Sequence, residues 1–145
     1  MMWYDAMEVA RFILTECFKK NVLISNLKLQ KMLYYVWVDF YKMTERKLFF
    51  DEFCAWQLGP VVPSVYYEYC SYAGRPISVY YENMIIEDYD RKLLQSIVFK
   101  YAQISANRLV SMTHQHCSAW DEVYREGLGN RCVIPFELII KKEVG

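Results

Sequence analysis

The sequence predicts a mainly α fold: a compact bundle of about six or seven helices around a central hydrophobic helix, with a short β-hairpin or extended segment near residues 48–58. Three observations carry that expectation. Hydrophobic residues make up 54% of the chain and charged residues 23%, which suits one closed core and is too apolar for a disordered segment. Apolar side chains recur at three- and four-residue spacing through most of the length. That period breaks near residues 48–58, and isolated glycines and prolines punctuate the rest. With no internal repeat, low-complexity tract or linker, residues 1–145 are expected to form a single domain.

The first helix should open at Asp5, with Glu8 completing a capping box, and should bury Ala6, Val9, Ala10, Ile13 and Cys17 before stopping near Asn21. Ser25 or Asn26 can cap a second helix reaching about Lys42. Leu29, Met32, Leu33, Val36, Trp37 and Phe40 form its stripe, and Tyr34, Tyr35, Val38 and Tyr41 make it apolar almost all round. Such a helix belongs at the centre of a domain. Phe53-Cys54-Ala55-Trp56 can pair with the residues before it as a hairpin or extended turn. Pro63 suits the first turn of a third helix with Val65, Tyr66, Tyr69, Tyr72 and Ala73 inward, ended by Gly74 and Pro76. Residues 77–86 read as strand or loop. A fourth helix should span residues 89–103, with Leu93, Leu94, Ile97, Val98 and Tyr101 inward. Ser105 and Ser118 cap a fifth and a sixth, and residues 136–142 close the chain with a last short helix.

Composition excludes several function classes. Seventeen basic residues balance seventeen acidic ones and are scattered, so no basic arm or patch recruits nucleic acid. The five cysteines are odd in number and lack C-x-x-C spacing, as expected of free thiols in a reducing compartment. Asp5 and Glu8 stand where a secretory leader would carry a basic flank, and no apolar run approaches membrane-spanning length. A cytoplasmic protein with no membrane partner is expected.

Enzymatic equipment is equally scarce. His114-x-His116-Cys117 has the residue types of a metal site but no second convergent pair, so no metal is expected. No thiol is marked by a local base, and Cys17 and Cys70 lie on apolar stripes as core filler. The acidic pairs Asp51-Glu52, Glu87-Asp88 with Asp90, and Asp121-Glu122 fall in a turn or at helix starts, where acids serve as solubilising and dipole partners. No glycine-rich phosphate loop is present, and no cofactor is expected. The surplus is aromatic: 13 Tyr and 4 Trp, residues that favour contact surfaces. Around Trp56, Gly59-Pro60 and Pro63 bend and stiffen the backbone, so the indole either plugs the core or is presented on a rigid mount.

The run Asn26-Leu27-Lys28-Leu29-Gln30-Lys31-Met32-Leu33-Tyr34-Tyr35 resembles the L-K-L-Q-K-L-L-Y helix of the Panacea antitoxin domain, the SocA-like, phage-associated family. Ala55-Trp56, Gly59-Pro60-Val61, Pro63 and Tyr66 match that family's A-W-x-x-G-P-V-x-P-x-x-Y block. Leu109, Thr113-His114 and Trp120 match its L-S-x-x-T-H block and following tryptophan. Val110 stands where the family often has Ser, and Ala119 where it often has Pro. The resemblance implies an α-helical antitoxin that neutralises a cognate toxin by direct binding, in a family where one branch delivers its toxin to a Clp protease.

On this reading the protein is not an enzyme. The residues expected to bind the partner are Trp56, Tyr66, Tyr67, Tyr69, Tyr72, His114 and Trp120, with Leu29, Gln30, Lys31, Gly59, Pro60, Pro63 and Thr113 as the structural motif. Two readings of other classes stand beside it: an enzyme using His114 with a cysteine, and a DNA-binding autoregulator.

Overall fold

The computed structural model describes residues 3–82 and 85–145. Among them are seven helices and a small three-stranded antiparallel sheet, a mainly α architecture. Its axis is α2 (Asn26–Thr44), capped by Ser25, whose Oγ accepts the Lys28 N–H at 3.2 Å. Every residue from 29 to 40 is buried, the polar Gln30, Lys31 and Asp39 included, so the middle of this helix is enclosed all round. Trp37 lies stacked between Tyr41 and Phe136, and its indole N–H donates to the Phe49 carbonyl at 3.0 Å.

Helix α1 (Ala6–Lys19) packs on α2 and buries Ala6, Val9, Ala10, Ile13 and Cys17. The Asp5 N–H donates to Glu8 Oε1 at 2.8 Å, and Asn21 turns into the left-handed region (φ 60°) just past the helix end. Helix α4 (Asp88–Ala102) packs on both. Tyr101 stacks on Tyr35 and donates its hydroxyl to Asp39 Oδ2 at 2.8 Å, which satisfies an acid placed in the apolar run of α2.

The sheet order is β2-β1-β3, from β1 (Phe53–Trp56), β2 (Gly59–Val61) and β3 (Val133–Ile134). The hairpin therefore sits later than the periodicity break suggested. Leu48 and Phe49 reach back to the N-terminus instead, where the Tyr4 N–H donates to the Leu48 carbonyl at 2.8 Å. The return strand is Gly59-Pro60-Val61, which reads in sequence as pure punctuation. Proline is tolerated there because β2 is an edge strand, with a ladder on one side only.

Helix α3 (Pro63–Glu68) stops early and passes into a 3₁₀ turn, Cys70–Tyr72. That change of period rotates the expected stripe. Val65 and Tyr69 stay buried, whereas Cys70 and Ala73 are exposed, so Cys70 is not core filler. Ala73 itself takes positive φ (54°). Residues 77–86 are coil wherever described; residues 83 and 84 of that stretch lie outside the described residues. Helices α5 (Ala106–Thr113) and α6 (Ala119–Tyr124) begin at their serine caps, and α7 (Phe136–Ile139) widens into a π turn, Ile140–Val144. No helix among the described residues is long and apolar enough to cross a membrane.

One acid departs from its expected solubilising role. Asp90 is buried, pairs with Arg46, and accepts the Tyr4 hydroxyl at 2.6 Å, while the Glu87 N–H donates to that same hydroxyl at 3.2 Å. Tyr4 thus pins the N-terminal segment to the start of α4. Replacing it by Phe keeps the ring and deletes both bonds. Tyr4→Phe should cost about 1–3 kcal/mol in urea unfolding, since it strands a buried carboxylate oxygen and an amide.

Candidate functional site

The three sequence blocks converge on β2. An edge strand exposes unpaired carbonyl and amide groups, and here side chains of α2 cover them. Lys31 Nζ donates to the Pro60 carbonyl at 2.7 Å, and the Val62 N–H donates to Gln30 Oε1 at 3.0 Å. Gln30 Nε2 donates in turn to Asn26 Oδ1 at 3.1 Å, and Asn26 Nδ2 to the Tyr66 carbonyl at 3.0 Å. One helix face thereby acts as a surrogate strand for the hairpin and the helix after it.

Lys31 has no solvent exposure. Burial disfavours its charged form and pushes its pKa down to about 7. Its stem lies against Gly59, where the chain takes φ +121° to leave the two-residue turn Gln57-Leu58. A methyl group at Gly59 would fall 2.7 Å from Lys31 Cε and 2.8 Å from Thr113 Oγ1. Glycine is required here by close approach and by dihedral together.

The hairpin is also held by the corner between α5 and α6. His114 ends α5 and stacks flat on Trp120 (3.9 Å between centroids, 3°), and Trp120 stacks on Tyr124 at 4.6 Å. The Trp120 indole N–H donates to the Trp56 carbonyl at 2.7 Å. Ser118 Oγ donates to the Thr113 carbonyl at 2.7 Å while accepting the Asp121 N–H, which ties the cap of α6 to the end of α5. Burial lowers the His114 pKa, nearby Lys31 lowers it further, and a hydrogen bond to the Leu58 backbone opposes both. Its Nε2 is buried without a hydrogen-bond partner. His116 and Cys117 are exposed, and no group of three or more His, Cys, Asp or Glu that could hold a metal ion occurs among the described residues.

Above this frame lies an aromatic cluster. Trp56 packs edge-on against Tyr66 at 5.0 Å, with Tyr67 6.0 Å from the indole. The Arg131 guanidinium sits 4.3 Å over the Trp56 ring and reaches the Tyr67 hydroxyl at 3.4 Å. Tyr67 is 56% exposed, while Trp56 and Tyr66 are half-buried; Leu58, in the turn of the hairpin, is 52% exposed. The indole is thus neither plug nor free mount: it is partly exposed and its ring is clamped.

The sequence-predicted residues divide accordingly. Trp56, Tyr66 and Tyr67 come together at the surface. Tyr69 turns inward, 2% exposed, and shares a hydrogen bond with Tyr81. Trp120, 7% exposed, and half-buried His114 support the hairpin from beneath. Tyr72 is half-buried in the 3₁₀ turn after α3. Of the motif residues, Leu29 is core, Gln30, Lys31, Gly59, Pro60 and Thr113 form the stitching, and Pro63 starts α3. Sequence reasoning missed Arg131, the cationic part of the cluster. No local signal marks Arg131, because β3 brings it there through the Arg131 N–H to Ala55 carbonyl bond at 2.6 Å.

Two outcomes follow. Gly59→Ala should destabilise the fold by about 2 kcal/mol or more in urea unfolding, the combined effect of positive φ and overpacking against Lys31 and Thr113. Lys31 should also make stability pH-dependent. Folded, it releases its proton near pH 7; unfolded, it keeps it to about 10.4. Above pH 7 the unfolded state therefore binds more protons, and stability rises with pH by up to about 1.4 kcal/mol per unit. His114, lowered below its ordinary value, acts in the same sense but beneath about pH 6.5. Cys17, pushed up to about 11 by burial, opposes the rise above about pH 8.5. Urea midpoints at about pH 7 and pH 8.5 should show the gain in the wild type and its loss in Lys31→Met.

The family model described as antitoxin SocA-like, Panacea domain, matches residues 29–121, which take in α2, the hairpin, the Thr113-His114 corner and Trp120. The chain is also similar to the antitoxin SocA of Caulobacter vibrioides (strain NA1000 / CB15N), 30% identical over 135 residues that cover 82% of this chain and 70% of the relative. No solved structure matches it. The blocks that stitch the hairpin to α2 are those that the resemblance singled out, and the chain belongs to the SocA-like antitoxin family of Panacea domains.

Proposed function

We propose that this chain is a non-enzymatic, cytoplasmic antitoxin that neutralises a cognate toxin by direct binding through the face made of Trp56, Tyr66, Tyr67, Leu58 and Arg131. The observation that carries this reading is the clamped, partly exposed cluster of two Tyr, one Trp and one Arg beside a hairpin whose free edge is already satisfied internally. Tyr, Trp and Arg concentrate binding energy at protein interfaces, and groups held rigid before binding lose less entropy on association. The name of the relative, an antitoxin, supports the same role. Delivery of the bound toxin to a Clp protease is the finer part of the proposal and rests on the family alone. A shorter toxin half-life in cells that hold both this chain and the protease would support it.

The face is tested by Tyr67→Ala with Arg131→Ala, two exposed side chains with no part in the core. The double variant should keep its melting temperature, lose at least about tenfold in affinity for the cognate toxin, and fail to rescue growth on coexpression with it. Unchanged rescue would move the contact elsewhere.

A further inference from the structure

A second surface shares no residue with the aromatic face. A groove of about 510 Å³ runs between the C-terminal end of α1 and the outer side of α4. Apolar Val22, Val98 and Ala102 line it beside half-exposed Phe99. Lys19, Lys20 and Lys92 stand on its rim. The one carboxylate among its lining residues, Glu16, is engaged by Lys19 at 3.5 Å and by Gln95 Nε2 at 3.4 Å. Lys20 covers the Phe99 ring at 5.3 Å, and among the described residues neither Lys20 nor Lys92 pairs with a carboxylate. In a chain of zero net charge this is a local excess of positive charge around a hydrophobic trough.

We infer that this groove docks an acidic amphipathic segment of a partner protein, seating large aliphatic or aromatic side chains on Val22, Val98 and Ala102 and placing Asp or Glu against Lys20 and Lys92. Charge complementarity selects the acid, and the trough selects the apolar anchors. A phosphate backbone would find two unpaired ammonium groups and no row of them. A bilayer would need an apolar surface that protrudes, and this one is concave. The inference is independent of what the aromatic face holds.

The probe is a fluorescein-labelled synthetic helix of about 16 residues with Leu and Phe at i, i+3, i+4 and i+7 and Glu elsewhere, titrated with the whole chain by anisotropy. Saturable binding is expected, weakened about tenfold or more by Lys20→Glu with Lys92→Glu and by raised salt, and unaffected by Tyr67→Ala. Both lysines are exposed, so the charge reversal should leave the fold intact; an unchanged melting curve verifies this, and Lys20→Gln with Lys92→Gln, tested alongside, should weaken binding to a smaller degree. Absence of saturable binding, equal binding of a Lys-for-Glu version of the helix, or equal binding by the charge-reversed chain would overturn the proposal. So would lysine-dependent binding to phosphatidylglycerol vesicles or lysine-dependent self-association without the helix, which would assign the groove to a membrane or to a second copy.

Discussion

Everything near the proposed binding face depends on how the open edge of β2 is covered. A three-residue strand containing proline cannot sustain a sheet on both sides, and an uncovered edge would invite water or another chain. Gln30 and Lys31 remove that liability by supplying one acceptor to the Val62 amide and one donor to the Pro60 carbonyl. Because both come from the buried central helix, the hairpin is anchored to the middle of the core. The corner holding His114 and Trp120 adds a second anchor through the Trp56 carbonyl. A short, locally weak hairpin is thereby fixed by two separate elements.

The anchoring has a thermodynamic cost concentrated at Lys31. A buried ammonium is unfavourable, and this one has a single hydrogen-bonding oxygen and lies near an imidazole whose protonation it also disfavours. A Met at position 31 would pack well and leave the Pro60 carbonyl bare. A long side chain ending in a donor is what the edge requires, and glycine at position 59 is what lets that side chain pass. The two residues are one device, split between two parts of the sequence. Gly59 reads as punctuation only while its neighbour across the fold is unknown.

Rigidity beneath the hairpin gives the aromatic cluster its character. Trp56 is held at backbone and ring: its carbonyl accepts from Trp120, and its ring lies against Tyr66 and under Arg131. Tyr67 projects from this base, and Leu58 is exposed at the turn of the hairpin. The groove between α1 and α4 is built differently, with charge around a trough and no clamped rings, which suits a partner segment of another chemistry.

Local features were legible in the sequence. The caps Ser25, Ser105 and Ser118, the Asp5–Glu8 pairing, the stop at Asn21 and the all-round apolarity of α2 depend on residues a few positions apart, so their spacing alone determines them. The three family blocks were equally readable, since each is contiguous. Long-range pairing decided the rest. Only the folded chain assigns Gly59-Pro60-Val61 to a strand, turns Cys70 out and Asp90 in, and divides the candidate residues into Tyr67 at the surface and Tyr69 and Trp120 within. Only β3 brings Arg131 to Trp56. The physical reason is one of range: capping and helical periodicity act over about one or two turns of chain, whereas an edge strand's partner and a ring's neighbours are chosen by the whole packing arrangement.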